Sequence, residues 1–329
     1  MRIVVHGQQA FGKAVLEALL GRGDDVVAVY AAPDRPGAPD PLKEAALAAG
    51  LPVRQPESYR DPAVHEEFRA LAPDLQVMAF VTLVVPKAFL DIPTHGTIQY
   101  HPSLLPRHRG RSSINWPIIM GETETGLSVF WPDGGIDTGD VLLQKTTPIG
   151  PDDTVGSVYF DRLFPMGVEA LCEAVDLVRT GAAPRLKQDE ALATYEGPCE
   201  RENARVDWGK PWKQVHDLIR GCDPAPGAWT TWRGEVVQVF ASRPLPARTY
   251  GGLGGRVGEV VAIGDGGSAA GAAADATERS LTVPCAAGIT VACADGRIEV
   301  ARVRPPGGSK LAAGEWAHTV GLRTGDRLG

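Results

Sequence analysis

The chain has 329 residues, 43% hydrophobic and 22% charged, with a formal net charge of −7. That is long enough for two domains and a large buried core. The balance is uneven, with 20 basic and 29 acidic residues before Lys213 and 13 and 11 from it onward, so no strongly basic face argues for nucleic acid. Residues 1–5 are too short an apolar run for a signal peptide, and residues 77–85 fall far short of the ~20 a membrane helix needs. The five cysteines (Cys172, Cys199, Cys222, Cys285, Cys293) show no C-x-x-C spacing. They read as reduced thiols of a cytoplasmic protein, with neither a disulfide framework nor a metal site.

Residues 3–6 read as a strand, and Gly7-Gln8-Gln9-Ala10-Phe11-Gly12 turns it into a helix carrying Val15, Leu16, Leu19 and Leu20. The two glycines lack the Lys-Ser/Thr of a P-loop, and a plain strand–helix turn accounts for them. Residues 26–30 form the next strand, helical patterns follow near 43–49 and 63–71, and residues 75–81 and 97–101 are further strands. This alternation predicts an α/β fold with a doubly wound, mostly parallel, Rossmann-like sheet. Residues 113–120 read as a short helix, and strands at 127–131 and 141–145 flank an Asp-Gly-rich loop. Thr154 is placed to cap a long helix running toward Thr180, with Gly181 ending it.

Around 196–211 the pattern dissolves into polar residues, glycine and proline. The expected division is therefore a domain over 1–200, a linker over 201–212 and a second domain over 213–329. From Trp212 the texture becomes β-rich, with short runs at 236–240, 257–263, 289–292 and 298–303 that predict a small barrel. The Gly/Ala/Ser-rich stretch 264–277 reads as a loop inserted in it. Its few aromatics (Trp229, Trp232, Phe240, Tyr250, Trp316) make no obvious stacking platform for bases.

The most informative segment is Gln99-Tyr100-His101-Pro102-Ser103-Leu104-Leu105-Pro106-Arg107-His108-Arg109-Gly110. Thr97, Gln99 and His101 share one face of a strand, and Pro102 and Pro106 stiffen the loop that follows. Polar groups at the carboxyl end of such a strand are where open α/β sheets place their sites. This segment resembles the signature loop of the folate-dependent formyltransferase family. Asp133-Gly134-Gly135-Ile136-Asp137-Thr138-Gly139-Asp140 is similar to that family's second hallmark. The opening residues 1–8, Ala32 to Gly37, Arg109 to Trp116 and Arg220 to Trp229 also fit, so the likeness covers nearly the whole chain. Within the family it is greatest to the hydrolase domain of 10-formyltetrahydrofolate dehydrogenases, and no aldehyde dehydrogenase part follows in these residues.

The resemblance implies transfer of a formyl group from 10-formyltetrahydrofolate to the amine of a small molecule or carrier-linked intermediate. The alternative is hydrolysis of the same donor to formate and tetrahydrofolate; formylation of methionyl-tRNA stands third, because the segment 34–43 is short and nearly neutral. Formyl transfer is acyl transfer, so it needs a general base, a group to orient it and a donor toward the oxyanion. The family uses His and Asp at the positions of His101 and Asp137. Gln99 departs from it, since amine formyltransferases usually carry Asn there and the dehydrogenase hydrolase domain an aliphatic residue. It adds one methylene to the Asn amide, a displacement of roughly 1.5 Å. The resemblance further implies that Phe80, Val81, Thr82, Leu83 and Val85 line one side of the folate site and Gly135, Ile136 and Asp140 the other, with Ser103 and Leu104 contributed by the signature loop. On the residues alone, His101 reads equally as a structural strand-end histidine, Asp137 as a turn residue, and 80–86 as a buried strand running into a helix. Asp133 and Asp140 also read as shaping their loop, and Arg107, His108 and Arg109 as packing or solvating theirs or meeting the folate tail. Ser103 has no base in register and is no nucleophile.

Overall fold

The structure, a computed structural model, describes residues 1–34, 37–246, 255–264 and 287–329. Arg35, Pro36, Tyr250, Cys285 and the Gly/Ala-rich stretch from residue 265 lie outside the described residues. The chain forms two compact units. One is built from Met1–Ser113, Glu124–Pro148 and Tyr159–Gly197, the other from Ile114–Thr123, Ile149–Val158 and Pro198–Gly329.

The first unit holds a seven-stranded sheet of order β3-β2-β1-β4-β5-β6-β7. Its strands are β1 (Arg2–Gly7), β2 (Asp25–Ala31), β3 (Val53–Arg54), β4 (Leu75–Ala79), β5 (Thr97–His101), β6 (Glu124–Phe130) and β7 (Val141–Pro148). The first five are parallel and the last two antiparallel. Ile3, Val4 and Val5 are fully buried, as expected where a strand is covered on both faces and its apolar run is continuous. Helix α1 (Gln9–Gly21) buries Phe11, Val15, Leu16 and Leu19, the stripe its spacing predicts. Helices α2 (Pro41–Ala48) and α3 (Pro62–Ala70) each start with Pro after an Asp that caps them, Asp40 and Asp61. A short α4 (Lys87–Leu90) precedes β5.

Tyr30, Tyr59, Phe68 and Phe89 pack beside β1 and β2, with Phe68 and Phe89 stacked at 4.3 Å between centroids. His6 faces the Tyr59 ring at 4.6 Å and meets Gln76 Nε2 through its Nδ1 at 2.7 Å. Burial pushes its pKa down to about 3, so the ring is neutral.

The expected long helix is a composite: α6 (Val155–Val158), a π-helical turn over Tyr159–Leu163, and α7 (Phe164–Arg179). Pro165 has no N–H to continue an α-helical ladder, which accounts for the wider turn before it. Thr154 Oγ1 accepts the Ser157 N–H at 3.1 Å, and Gly181 takes φ +71° beyond α7, as the sequence predicts for both ends.

The second unit differs from expectation at its start. Residues 201–212 are not a free linker, because Ala204, Val206 and Trp208 are buried in this unit's core and Trp208 Nε1 donates to Thr230 Oγ1 at 3.0 Å. The run expected to open as strands opens instead as α8 (Trp212–Gly221), with Val215 and Ile219 buried one turn apart. Strands β8 (Trp229–Trp232), β9 (Glu235–Pro246), β10 (Val260–Ile263), β11 (Ile289–Ala292) and β12 (Gly296–Arg304) follow in the order β10-β11-β12-β9-β8, with β13 (Leu311–Ala312) on β12 and α9 (Ala313–Val320) last. Among the described residues β10 and β8 do not pair, so the antiparallel sheet curls as a half-barrel rather than closing.

Two excursions from the first half of the chain complete this unit. Helix α5 (Asn115–Ile119) anchors on α8, where Asn115 Nδ2 donates to Gly221 O at 2.8 Å. Residues 149–158 are held by His216 Nε2 on Pro151 O at 2.9 Å and by Arg220 Nη1 on Gly150 O and Asp153 O at 3.2 and 3.1 Å. Among the described residues no helix is long and apolar enough to cross a membrane.

Candidate active site

The strand order reverses direction between β1 and β4, the switch point at which open α/β sheets form a ligand crevice at strand carboxyl ends. Beyond β4 the expected strand 75–81 stops at Ala79, and Phe80 turns the backbone to φ +63°. The segment that follows is neither strand nor buried. Phe80, Leu83 and Val84 are 45%, 36% and 74% exposed, Thr82 is exposed, and Val81 and Val85 are half-buried. Exposed apolar side chains grouped on one loop are not those of a core strand. Thr82 Oγ1 lies 3.4 Å from Gln8 Oε1, which links this loop to the end of β1.

On β5, next to β4, Gln99 lies opposite Met78 and Phe130. Its side chain is half-buried, shares a face with that of His101, and its amide has no hydrogen-bond partner among the described residues. His101, at the end of the strand, is 5% exposed. Its Nε2 is 3.0 Å from His108 O. A carbonyl oxygen only accepts, so Nε2 carries the hydrogen and the neutral ring keeps its lone pair on Nδ1. That Nδ1 lies 3.5 Å from Asp137 Oδ2. With the hydrogen on Nε2, Nδ1 and Oδ2 face each other as two hydrogen-bond acceptors.

Asp137 comes from the β6–β7 loop and has φ +55°. Its Oδ2 accepts the Gly110 N–H at 2.8 Å, while Oδ1 has no partner among the described residues. Two residues of the signature loop therefore orient both groups: the His108 carbonyl fixes the His101 tautomer, and the Gly110 N–H fixes the Asp137 carboxylate. Gly110 takes φ +98°, and a Cβ there would meet Tyr195 Cε2 at 2.8 Å, so no other residue fits without displacing that ring. In the Asp137 loop, Asp133 Oδ1 accepts from Gly135 N at 2.9 Å and Thr138 Oγ1 at 2.6 Å. Asp133 thus shapes the loop. A Cβ on Gly139 would fall 1.7 Å from Trp131 O. Ile136, at the tip, is 60% exposed beside exposed Gly135, and Asp140 is half-buried with its carbonyl taking the Trp131 N–H at 2.9 Å.

The remaining expectations on the signature loop divide. Ser103 is fully buried and its hydroxyl donates to Arg107 O at 2.7 Å, so its side chain ties the loop and does not face a ligand. Leu104 is half-buried and packs on Gly126 of β6. Arg109 is 8% exposed and so does not solvate the loop; it forks onto Glu190, with Nη1 at 2.9 Å and Nη2 at 2.6 Å. That hydrogen bond raises the Arg109 pKa and lowers that of Glu190. His108 is likewise buried, with Nδ1 3.2 Å from Glu196.

Sequence reasoning missed a strap, residues 184–196, that lies along both loops. Leu186 exchanges backbone hydrogen bonds with Val141 at 2.8 and 2.9 Å, and Trp131 Nε1 donates to Pro184 O at 2.9 Å. Thr194 takes the His108 N–H on its hydroxyl and the Arg109 N–H on its carbonyl, at 2.8 and 3.1 Å. No periodicity advertises this segment. Its sheet-like contacts are two isolated bridges, and its side-chain ties to the two loops are made across 49 to 88 positions of chain.

Comparison with known proteins agrees with this geometry. A formyl transferase family model matches residues 1–175, and a model of the formyl transferase C-terminal domain matches residues 199–321. The mitochondrial 10-formyltetrahydrofolate dehydrogenase of Mus musculus is 44% identical over 257 residues, 77% of this chain but 28% of that protein. The chain thus spans under a third of the length of such relatives. A methionyl-tRNA formyltransferase of Geotalea uraniireducens is 38% identical over 335 residues, covering 100% of this chain and 98% of that protein. Among solved structures, HypX from Aquifex aeolicus in complex with tetrahydrofolic acid superposes with a TM-score of 0.66 at 20% identity, over 96% of this chain and 47% of that one, a likeness of fold. With family models accounting for both halves, the chain belongs to the formyl transferase family.

Proposed function

We propose that this protein transfers the formyl group of 10-formyltetrahydrofolate to the amine of a small-molecule or carrier-linked acceptor. The observation that carries the reading is the buried His101–Asp137 pair, with its tautomer and carboxylate both oriented by backbone groups of one loop. The exposed apolar loop 80–85 and the loop tip at Gly135 and Ile136, with Asp140 behind it, supply a surface for the pterin. The unpartnered Oδ1 of Asp137 faces the incoming amine as hydrogen-bond acceptor. As nitrogen attacks the formyl carbon, the proton it gives up passes to the shared position between Asp137 Oδ2 and His101 Nδ1. The tetrahedral oxyanion is met by the Gln99 amide, whose N–H has no competing partner among the described residues. Collapse returns the proton to the folate N10, which leaves as the neutral amine. Atoms and charge balance without a metal, and the folate is consumed as formyl donor.

The 44% identity to the dehydrogenase region supports a second reading, in which water replaces the amine and formate is released. The same residues serve, since water also loses one proton on attack. The whole-chain likeness to a methionyl-tRNA formyltransferase supports an aminoacyl-tRNA amine as a further acceptor, against which stands the excess of acidic over basic residues before Lys213. One assay separates the three: 10-formyltetrahydrofolate incubated alone, with a panel of small amines including amino sugars, and with charged initiator tRNA, following formate and formyl-amine by mass spectrometry. Acceptor-dependent formyl-amine supports the first reading; rapid formate release that no acceptor suppresses replaces it with the second.

A further inference from the structure

The residues that touch the Asp137 carboxylate explain where it points, but not what keeps the backbone in a conformation that non-glycine residues rarely adopt. At φ +55° Asp137 sits in the left-handed region on a loop whose tip is exposed. One side chain reaches that backbone from outside the loop. Gln188 Nε2 donates one hydrogen to Asp137 O at 2.8 Å and the other to Gly139 O at 2.7 Å. Its Oε1 accepts from Arg109 Nη2 at 2.8 Å and Nε at 3.3 Å.

The amide orientation follows from chemistry. A guanidinium only donates and a carbonyl only accepts, so the oxygen must face Arg109 and the nitrogen the loop. Every hydrogen of the Gln188 amide is thereby committed. Arg109, the anchor, directly precedes the Gly110 whose N–H holds the Asp137 carboxylate. Gln188 itself sits two residues beyond Leu186, which is pinned to β7 by a pair of backbone hydrogen bonds. The loop that carries Asp137 is clamped at its backbone by Gln188 and at its side chain by Gly110, and both clamps run to the same dipeptide.

We infer that Gln188 is a positioning residue for Asp137, holding the 137–139 backbone so that the carboxylate stays over His101. This rests on the reaction proposed for the His101–Asp137 pair. Gln188 touches neither reacting group, so its effect falls mainly on the chemical step, with a smaller effect on binding of the donor through the tip of the loop it holds. A misplacement of about 1 Å in a reacting group costs on the order of 10²-fold in rate.

The test uses the full chain and two substitutions. Gln188→Met keeps size and removes all hydrogen bonds. Gln188→Glu keeps, and strengthens, the tie to Arg109 but presents oxygens to two carbonyls. If Gln188 mattered only as a partner for Arg109, the Glu variant would be as active as wild type. Under the inference both variants lose kcat by about 10²-fold while KM for 10-formyltetrahydrofolate, which the tip of the same loop helps to hold, rises by a smaller factor. Hydrogen exchange, read without substrate, shows faster exchange over 132–140 in both variants and unchanged protection over 97–101. Wild-type kcat in Gln188→Glu, or equal loosening of 97–101 and 132–140, overturns the inference. A wild-type protein with neither transferase nor hydrolase turnover overturns the proposed function instead, and the exchange comparison still decides whether Gln188 holds the loop.

Discussion

Under the proposed function, Gln99 is the side chain whose replacement distinguishes amine transfer from hydrolysis. Its amide is half-buried and has no partner among the described residues, the condition a donor must meet to reserve itself for an oxyanion. Gln99→Leu is expected to lower kcat/KM for amine formylation by roughly 10²–10³, measured by initial rates with a verified acceptor. Undiminished formate release in the same variant would assign the chemistry to water. Gln99→Asn shortens the reach and tests placement; partial activity is the expected outcome. Gly110→Ala makes a harsher test of the signature loop, because the added methyl must displace Tyr195 and the residue must keep φ +98°. Turnover should fall at least as far as in Asp137→Ala, with circular dichroism unchanged. At this scale a strand-end motif and an Asp-Gly loop pointed to His101, Gln99 and Asp137, whose roles belong to the proposal, and the structure sets His101 and Asp137 3.5 Å apart. The sequence was silent on Gln188, Glu190 and Thr194, whose value lies in partners far away in the chain.

Among the elements, α2 depends most on one residue. Asp40 is 5% exposed, caps Leu42 N at 2.9 Å and also accepts the Gln9 N–H at 2.9 Å, so one carboxylate satisfies the first turn of α2 and the start of α1. Asp40→Ala leaves both donors without that acceptor and should cost about 1–2 kcal/mol, read as a lower urea midpoint with unchanged m-value. Strands β1, β2, β4 and β5 and helices α1, α2 and α3 were readable from hydrophobic period and punctuation. Helix α8 was not: Val215 and Ile219 are spaced for a helix, but the polar and proline-rich surroundings from Glu196 to Pro211 drew the boundary in the wrong place. After β4 the strand was drawn two residues too long, to Val81 rather than Ala79. Phe80 to Val85 has a strand's composition, yet Phe80, Leu83 and Val84 are exposed, and composition alone cannot distinguish an exposed loop from a core strand.

For the molecule as a whole, the buried neutral His6 makes stability depend on pH. Burial holds its folded pKa at about 3, against 6.5 for an accessible histidine. Below 6.5 the unfolded chain therefore binds a proton that the native protein refuses until about 3. The sign is a loss of stability as pH falls, at no more than about 1.4 kcal/mol per pH unit from this group. His216, also lowered by burial, acts in the same direction. Urea unfolding at pH 6.5 and 5 should show His6→Gln losing about 1–2 kcal/mol less than the parent over that interval; parallel curves would place the ring in water or in a charged state.

The chain passes from one compact unit to the other five times, near residues 113, 123, 148, 158 and 197. Each half is therefore a mosaic in inheritance. A cassette cut at residue 198 and joined to a relative's C-terminal half would carry the native Asn115 and the native 149–158 segment into a foreign α8. Their partners there, Gly221, His216 and Arg220, would have to be the same or be replaced together. The prediction is that a truncation after Pro198 aggregates on expression, whereas a chimera that also exchanges 114–123 and 149–158 is recovered as a monodisperse species by size-exclusion chromatography. Recombination among such genes is then constrained to three-piece exchanges, and substitutions in two short early segments should be accepted only in company with substitutions 65 to 106 codons downstream.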